Sequence, residues 1–209
     1  MIREIVYRFD MKRTTKLLTM LAVLLMTAVQ SSAESVTFNV CSWDDANKKV
    51  VTKTDTRDCV VLEGQNEEWE GLGTMGQESW YAVKGKVQRK VFNLFGTVHL
   101  VLTDGCKISS MHIKVEFRNG AKLHVHSVPN PSKQGEIYVK NDLLKYRYFQ
   151  AAGIGGGGGE GSDMGSLYVH GGKIYVDNYG RNWSGAGIGG GNRSGIHPEA
   201  EVVVYDGNV

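Results

Sequence analysis

The chain has 209 residues, of which 27 are glycine, three proline and three cysteine, with a formal net charge of +2. Five basic and two acidic residues lie in the first 33, so the rest carries 19 basic and 20 acidic side chains and a net charge of −1. That balance argues against a phosphate-neutralising surface, so nucleic acid is not an expected partner. Scarce proline and the lack of a G-X-Y period exclude collagen.

The first predicted element is a leader. Lys12, Arg13 and Lys16 precede a 13-residue apolar run, Leu17 to Val29, and Ser31 and Ala33 then supply small residues at the −3 and −1 positions. This order predicts a secretory signal peptide over residues 1–33, with Met11 as the true start and cleavage before Glu34. A bilayer-spanning helix needs about 20 residues, so the run is too short for a transmembrane anchor. The protein is therefore expected to be secreted or held at the cell surface. An oxidising compartment allows one disulfide, and Cys41–Cys59 is the most local pairing. Cys106 then reads as a small buried hydrophobe in a strand.

Residues 34–78 read as a β-rich lead-in or cap, with Val36, Phe38 and Val40 on one strand face. From 79 to 209 the pattern is a succession of short strands. Val98, Leu100 and Leu102 alternate with polar residues. Ile113, Val115 and Phe117 do the same, as do Leu123 and Val125, Ile137 and Val139, Leu167 and Val169, Ile174 and Val176, and Val202 and Val204. Period-two alternation predicts strands with one face buried. His99, His112, Lys114, Glu116, His124, His126, Tyr138, Tyr168 and Tyr175 fall on the opposite, outward face. Asp104-Gly105, Asn119-Gly120, Gly171-Gly172 and Asp206-Gly207 supply turns. The one helical candidate is Asn141 to Ala152.

Glycine is concentrated late: 18 of the 27 lie in the last 59 residues. Ala152-Gly-Ile-Gly-Gly-Gly recurs at Ala186, 34 residues on. Leu167-Tyr-Val-His-Gly-Gly-Lys-Ile aligns with Val202-Val-Val-Tyr-Asp-Gly-Asn-Val, 35 residues on. One such unit cannot bury its apolar face alone, whereas stacked copies share a core. Ile154 and Ile188 read as core plugs, and Gly153, Gly155, Gly187 and Gly189 as tight backbone corners. The expected fold is all-β, a right-handed parallel β-solenoid; the alternative is a β-sandwich with glycine-rich loops.

Several segments carry a resemblance. They are Ser79-Trp-Tyr-Ala-Val-Lys-Gly-Lys-Val, Val98-His-Leu-Val-Leu-Thr-Asp-Gly-Cys-Lys-Ile, Ala121-Lys-Leu-His-Val-His-Ser and the two Ala-Gly-Ile-Gly-Gly-Gly runs. In this order they resemble a family of bacterial extracellular repeat proteins of gut bacteria, with tandem Gly-Ala-Gly-Ile-Gly-Gly and G-x-I-x-I-x-G-G units. The likeness covers about residues 79–209. It implies a β-helix-like surface protein, in a family mostly without assigned activity. Pro129 to Gln150 departs from it, being longer and less regular.

Motifs that could carry chemistry are weak. Gly153 to Gly158 matches GxGxxG, but more glycine follows where a dinucleotide site needs a helix, so no cofactor is expected. Gly158-Gly-Glu-Gly-Ser-Asp163 matches part of a calcium nonapeptide, yet Gly165 stands where a large apolar residue belongs. His124 and His126 share one strand face and His112 lies on the corresponding face of the preceding strand; a histidine-rich outward face is favoured over a metal site. Asp104 and Asp206 are explained by their turns, and no catalytic residue is assigned. The best ligand-binding candidates are Tyr138, Tyr168, Tyr175, Tyr179 and Trp183, whose rings suit stacking on sugars. The expected function is a non-enzymatic surface scaffold or adhesin contacting extracellular glycans or a host surface. The alternative is a polysaccharide lyase or glycosidase on a β-helix. Because the sequence stops within a repeat at Val209, further rungs and an anchoring element are expected downstream.

Overall fold

The structure, a computed structural model, describes residues 33–65, 68–142, 151–179 and 185–206. From Ala33 on, the described residues belong to one compact unit. The predicted signal peptide falls outside the described residues, apart from its last position, Ala33.

The unit is all-β. Its strands are β1 (Ala33–Asp44), β2 (Lys49–Leu62), β3 (Trp69–Val83), β4 (Lys86–Leu102), β5 (Lys107–Lys114), β6 (Lys122–Ser127), β7 (Glu136–Asp142), β8 (Ile154–Gly155), β9 (Ser166–Val169), β10 (Lys173–Tyr179), β11 (Ile188–Gly189) and β12 (Val202–Val204). Together they make a curled, mixed, 12-stranded sheet. The only helical turn among the described residues is a 3-10 turn, Phe117–Asn119. The helical candidate is not borne out where it can be read. Asn141 and Asp142 end β7, Ala151 and Ala152 lie outside any helix, and residues 143–150 fall outside the described residues.

β1 and β2 are an antiparallel hairpin, and every other strand pairing is parallel. The parallel pairings fall into three ladders. Ladder A stacks the start of β4 on β5, β7 and β10. Ladder B stacks the start of β3 on the middle of β4, the end of β5, β8 and β11. Ladder C stacks the end of β2 on the ends of β3 and β4, then on β6, β9 and β12. From Trp69 onward the chain visits the ladders in the fixed order B, C, A. Ile154 and Ile188 are opposite each other, so the 34-residue recurrence is one such circuit. The irregular stretch after Pro129 only lengthens the circuit that joins Leu123 to Leu167.

Like side chains stack on like along each ladder. Ile113, Ile154 and Ile188 are in register in B. Val98, Leu123 and Leu167 are in register in C, and Ile108, Ile137 and Ile174 in A. Except for Ile188, which is partly buried against it, these residues form one interior cluster of buried aliphatics. Burying each such side chain contributes about 1.5–3 kcal/mol, so the stack is the main source of stability. The expected inward phase of the strands from Val98 on is therefore seen, except at Phe117, which is half-buried in the 3-10 turn after β5, and at β12. There Val202 and Val204 remain 43% and 48% exposed, because among the described residues nothing stacks on their far side.

The outward phase departs from expectation. His99, His126, His112 and Glu116 are all buried. For ladder C the reason is the hairpin: β1 lies over its outer face. Val36 and Phe38 form a second buried cluster there with Ala82 and Val101, and Trp80 packs against it. Residues 34–78 thus cover a flank of the ladders, and residues 69–73 already belong to ladder B.

Candidate functional site

The densest concentration of chemistry lies under that hairpin. On the outer face of ladder C, Trp80, His99, His124 and Tyr168 occupy equivalent positions of β3, β4, β6 and β9. Parallel register sets identical phases about 4.8 Å apart, so the rings stack. Ring centroids are 3.7 Å apart for Trp80–His99, 4.5 Å for His99–His124 and 4.4 Å for His124–Tyr168. Two residues on, a second stack runs from His126 through His170 to Tyr205, with spacings of 4.4 Å and 5.2 Å. Phe38 closes the assembly against Trp80 and His126.

The two stacks are tied edge to edge. His99 Nδ1 lies 3.0 Å from His126 Nε2, and His124 Nδ1 lies 3.1 Å from His170 Nε2. The other nitrogens of the second stack reach the hairpin backbone. His126 Nδ1 lies 3.0 Å from the Asn39 carbonyl and His170 Nδ1 3.0 Å from the Cys41 carbonyl. His99 Nε2 is buried and lies 2.8 Å from Glu78 Oε1, though not in hydrogen-bond alignment with it. One ring nitrogen from each of His99, His124 and His126 lies within 4.8 Å of the others.

Burial dominates the electrostatics here. It pushes the pKa values of His99, His124 and His126 down to about 3, with neighbouring imidazoles adding to the effect. Burial also lowers His170, against the hydrogen bond it donates to the Cys41 carbonyl. At neutral pH all four rings are uncharged, the form that binds metal. His112 is not part of this group. It sits in ladder B, with Nδ1 3.1 Å from the Gly153 carbonyl. Alignment of Leu-His-Val (123–125) with Leu-Tyr-Val (167–169) and Val-His-Leu (98–100) carried the signal for the stack. Nothing in the sequence marked the strand that covers it.

The aromatic candidates separate. Tyr138 and Tyr175 are opposite each other on the outer face of ladder A. Tyr175 is 46% exposed, and Lys107 Nζ lies 5.0 Å from the Tyr138 ring centroid. Tyr168 belongs to ladder C, stacked on His124, with its hydroxyl donating to Glu201 at 3.3 Å. Trp183 and the side chain of Tyr179 lie outside what the structure describes.

The remaining candidates have structural surroundings. Ile154 is fully buried, and Ile188 packs on the same core. Gly155 and Gly189 both adopt φ of +138°, and a Cβ on Gly155 would collide with the Gly189 carbonyl oxygen. Gly153 abuts Val176 and Gly187. Asp163 accepts a hydrogen bond from the Gly195 amide at 2.8 Å. Asp104 accepts from the Lys133 amide at 2.7 Å, which ties its turn to the segment before β7. Glu116 is a buried carboxylate held by Lys114 at 3.0 Å and Arg118 at 2.9 Å.

Cys41 and Cys59 are not brought together. The hairpin register sets Cys59 opposite Glu34, seven residues along β1 from Cys41, which is opposite Thr52. At about 3.4 Å per residue that separation is far beyond disulfide reach. All three cysteines are free and buried.

Among the described residues, no helix is long and apolar enough to cross a membrane. Comparison with protein-family models, with curated proteins and with solved structures found no match to this chain.

Proposed function

We propose that this protein is an exported, non-enzymatic β-solenoid scaffold of the cell surface that offers an aromatic strip to extracellular glycans. The observation that carries the solenoid reading is the fixed B, C, A order of three in-register parallel ladders, with like residues stacked along each. Repeats stacked this way build long, stiff, regularly spaced surfaces, which suits display. The export reading rests on the basic, apolar and small-residue order of residues 12–33.

The glycan-facing part is the Tyr138–Tyr175 pair. Two rings at strand spacing on one exposed face make a flat apolar strip with polar tips, the shape and chemistry that stack on sugar rings. Lys107 lies beside Tyr138 but is paired with the Glu136 carboxylate at 2.9 Å, so the strip suits neutral sugars.

A glycan array and a polysaccharide-degradation assay test this reading together. Array binding that falls at least tenfold in Tyr175→Ala and Tyr138→Ala, without sugar cleavage, supports it. Product formation from any polysaccharide tested would overturn it in favour of an enzyme. Mass spectrometry of the exported protein should place the N-terminus at Glu34.

A further inference from the structure

The histidine group under the hairpin has an imbalance of protons that points to a ligand. His126 faces the Asn39 carbonyl through Nδ1, which must therefore carry the proton. In the neutral ring, Nε2 is then an acceptor, and the nitrogen facing it at 3.0 Å, His99 Nδ1, must donate. That leaves His99 Nε2 as a bare lone pair, buried, 2.8 Å from the Glu78 carboxylate. Two acceptors face each other. A second proton on His99 would relieve the clash only by leaving a cation on a buried ring.

We propose that His99, His124 and His126 bind one divalent transition-metal ion of the zinc or copper class, with His170 as a positioning residue. This stands independently of the scaffold reading. A cation between His99 Nδ1 and His126 Nε2 replaces the shared proton. The His99 proton moves to Nε2, and a small turn of the exposed Glu78 side chain, 2.8 Å away, lets its carboxylate accept it, giving a carboxylate–histidine–metal arrangement. His126 keeps its Nδ1–H on the Asn39 carbonyl, the backbone partner that a ligating imidazole commonly has. His124 is oriented by His170, whose Nδ1 is in turn held at the Cys41 carbonyl.

The spacing suits the ion after small movements. Metal–nitrogen bonds of about 2.0 Å in tetrahedral geometry hold ligand nitrogens about 3.3 Å apart. The His99–His126 pair must open by a few tenths of an ångström, and His124, within 4.8 Å of both, must tilt inward. Imidazole ligands without thiolate select copper, zinc and nickel over magnesium and calcium. A fourth position remains for water.

The test is a Zn2+ titration by calorimetry of the full chain, stripped of metal by chelator dialysis, repeated with Cu2+. The expected result is one ion per chain, affinity at least tenfold weaker in His99→Gln and His124→Gln, and no change in His197→Ala. Histidine 15N NMR of the wild-type chain needs no variant: the His99 proton should move from Nδ1 to Nε2 on addition of Zn2+. No binding of either ion, binding that survives His99→Gln and His124→Gln, or a His99 ring that keeps its Nδ1 proton in the presence of Zn2+ would each overturn the proposal.

Discussion

Phe38 of β1 and Trp80 of β3 meet at 4.8 Å between ring centroids, tilted by 32°. Phe38 is fully buried, and its ring lies equally close to His126. This contact, with the hydrogen bonds of His126 and His170 to the Asn39 and Cys41 carbonyls, fastens the hairpin over the outer face of ladder C. Removing a buried phenyl group costs about 3–5 kcal/mol through lost transfer energy and the cavity left behind. Phe38→Ala should therefore lower stability by about that amount in urea unfolding. Native-state hydrogen exchange should show β1 amides opening well before those of β6. Uniform loss of protection across both strands would show that the hairpin is not a separable cover.

Stability should fall on acidification from pH 6.5. His99, His124 and His126 titrate near 3 in the fold, against about 6.5 in the unfolded chain. Folding thus disfavours their protonation. The stability is fully present above pH 6.5, declines as pH drops below it, and stops declining near pH 3. Around the cluster, Arg57 and Lys122 oppose protonation, while Asp55 and the adjacent Glu78 favour it. Thermal melts from pH 8 to pH 4 should show this slope, and His126→Gln should flatten it. A melting temperature constant down to pH 4.5 would contradict the buried placement of these rings.

The sequence made the strand phases readable because the interior of the ladders is uniformly aliphatic. Val98, Leu123 and Ile137 have to alternate with something else, and the two-residue period survives. The circuit length was equally readable, since the two Ala-Gly-Ile-Gly-Gly-Gly runs, 34 residues apart, stack with Ile154 opposite Ile188. The histidines misled because polarity was read as exposure. An imidazole is compatible with burial when its nitrogens find partners, and the partners came from Asn39 and Cys41, 87 and 129 residues before His126 and His170. The Cys41–Cys59 expectation failed for a related reason. Nearness in sequence says nothing about hairpin register, which here separates the two thiols.

Gly155 should tolerate no side chain. Its φ of +138° is a region that residues with a Cβ rarely adopt, and a Cβ there would strike the Gly189 carbonyl of the next circuit. Gly195 has open space around its Cβ position and no left-handed φ. Gly155→Ala is expected to cost roughly 2–4 kcal/mol, combining backbone strain with forced separation of β8 and β11. Gly195→Ala should stay within about 0.5 kcal/mol of wild type. Equal effects of the two substitutions in denaturant unfolding would mean that β8 and β11 do not stack as described.

The thiols distinguish this hairpin register from a disulfide-bonded one. Cys41, Cys59 and Cys106 are all buried, and burial pushes Cys59 and Cys106 up to about 11. Thiolate is the reactive form, so at pH 8 these two groups combine low accessibility with low ionisation. Cys41 is occupied as well: Sγ lies 3.2 Å from the His170 carbonyl and 3.4 Å from Thr52 Oγ1. The folded protein should therefore react with a thiol reagent on the timescale of unfolding. In guanidinium without reductant, three thiols per chain should react at once. A count of one would mean that two cysteines are bridged. Cys41 and Cys59 can bridge only if β1 slides against β2 by several residues, which would move Phe38 off Trp80 and uncover His126. The thiol count thus tests the register of β1, and with it the cover over the histidine cluster.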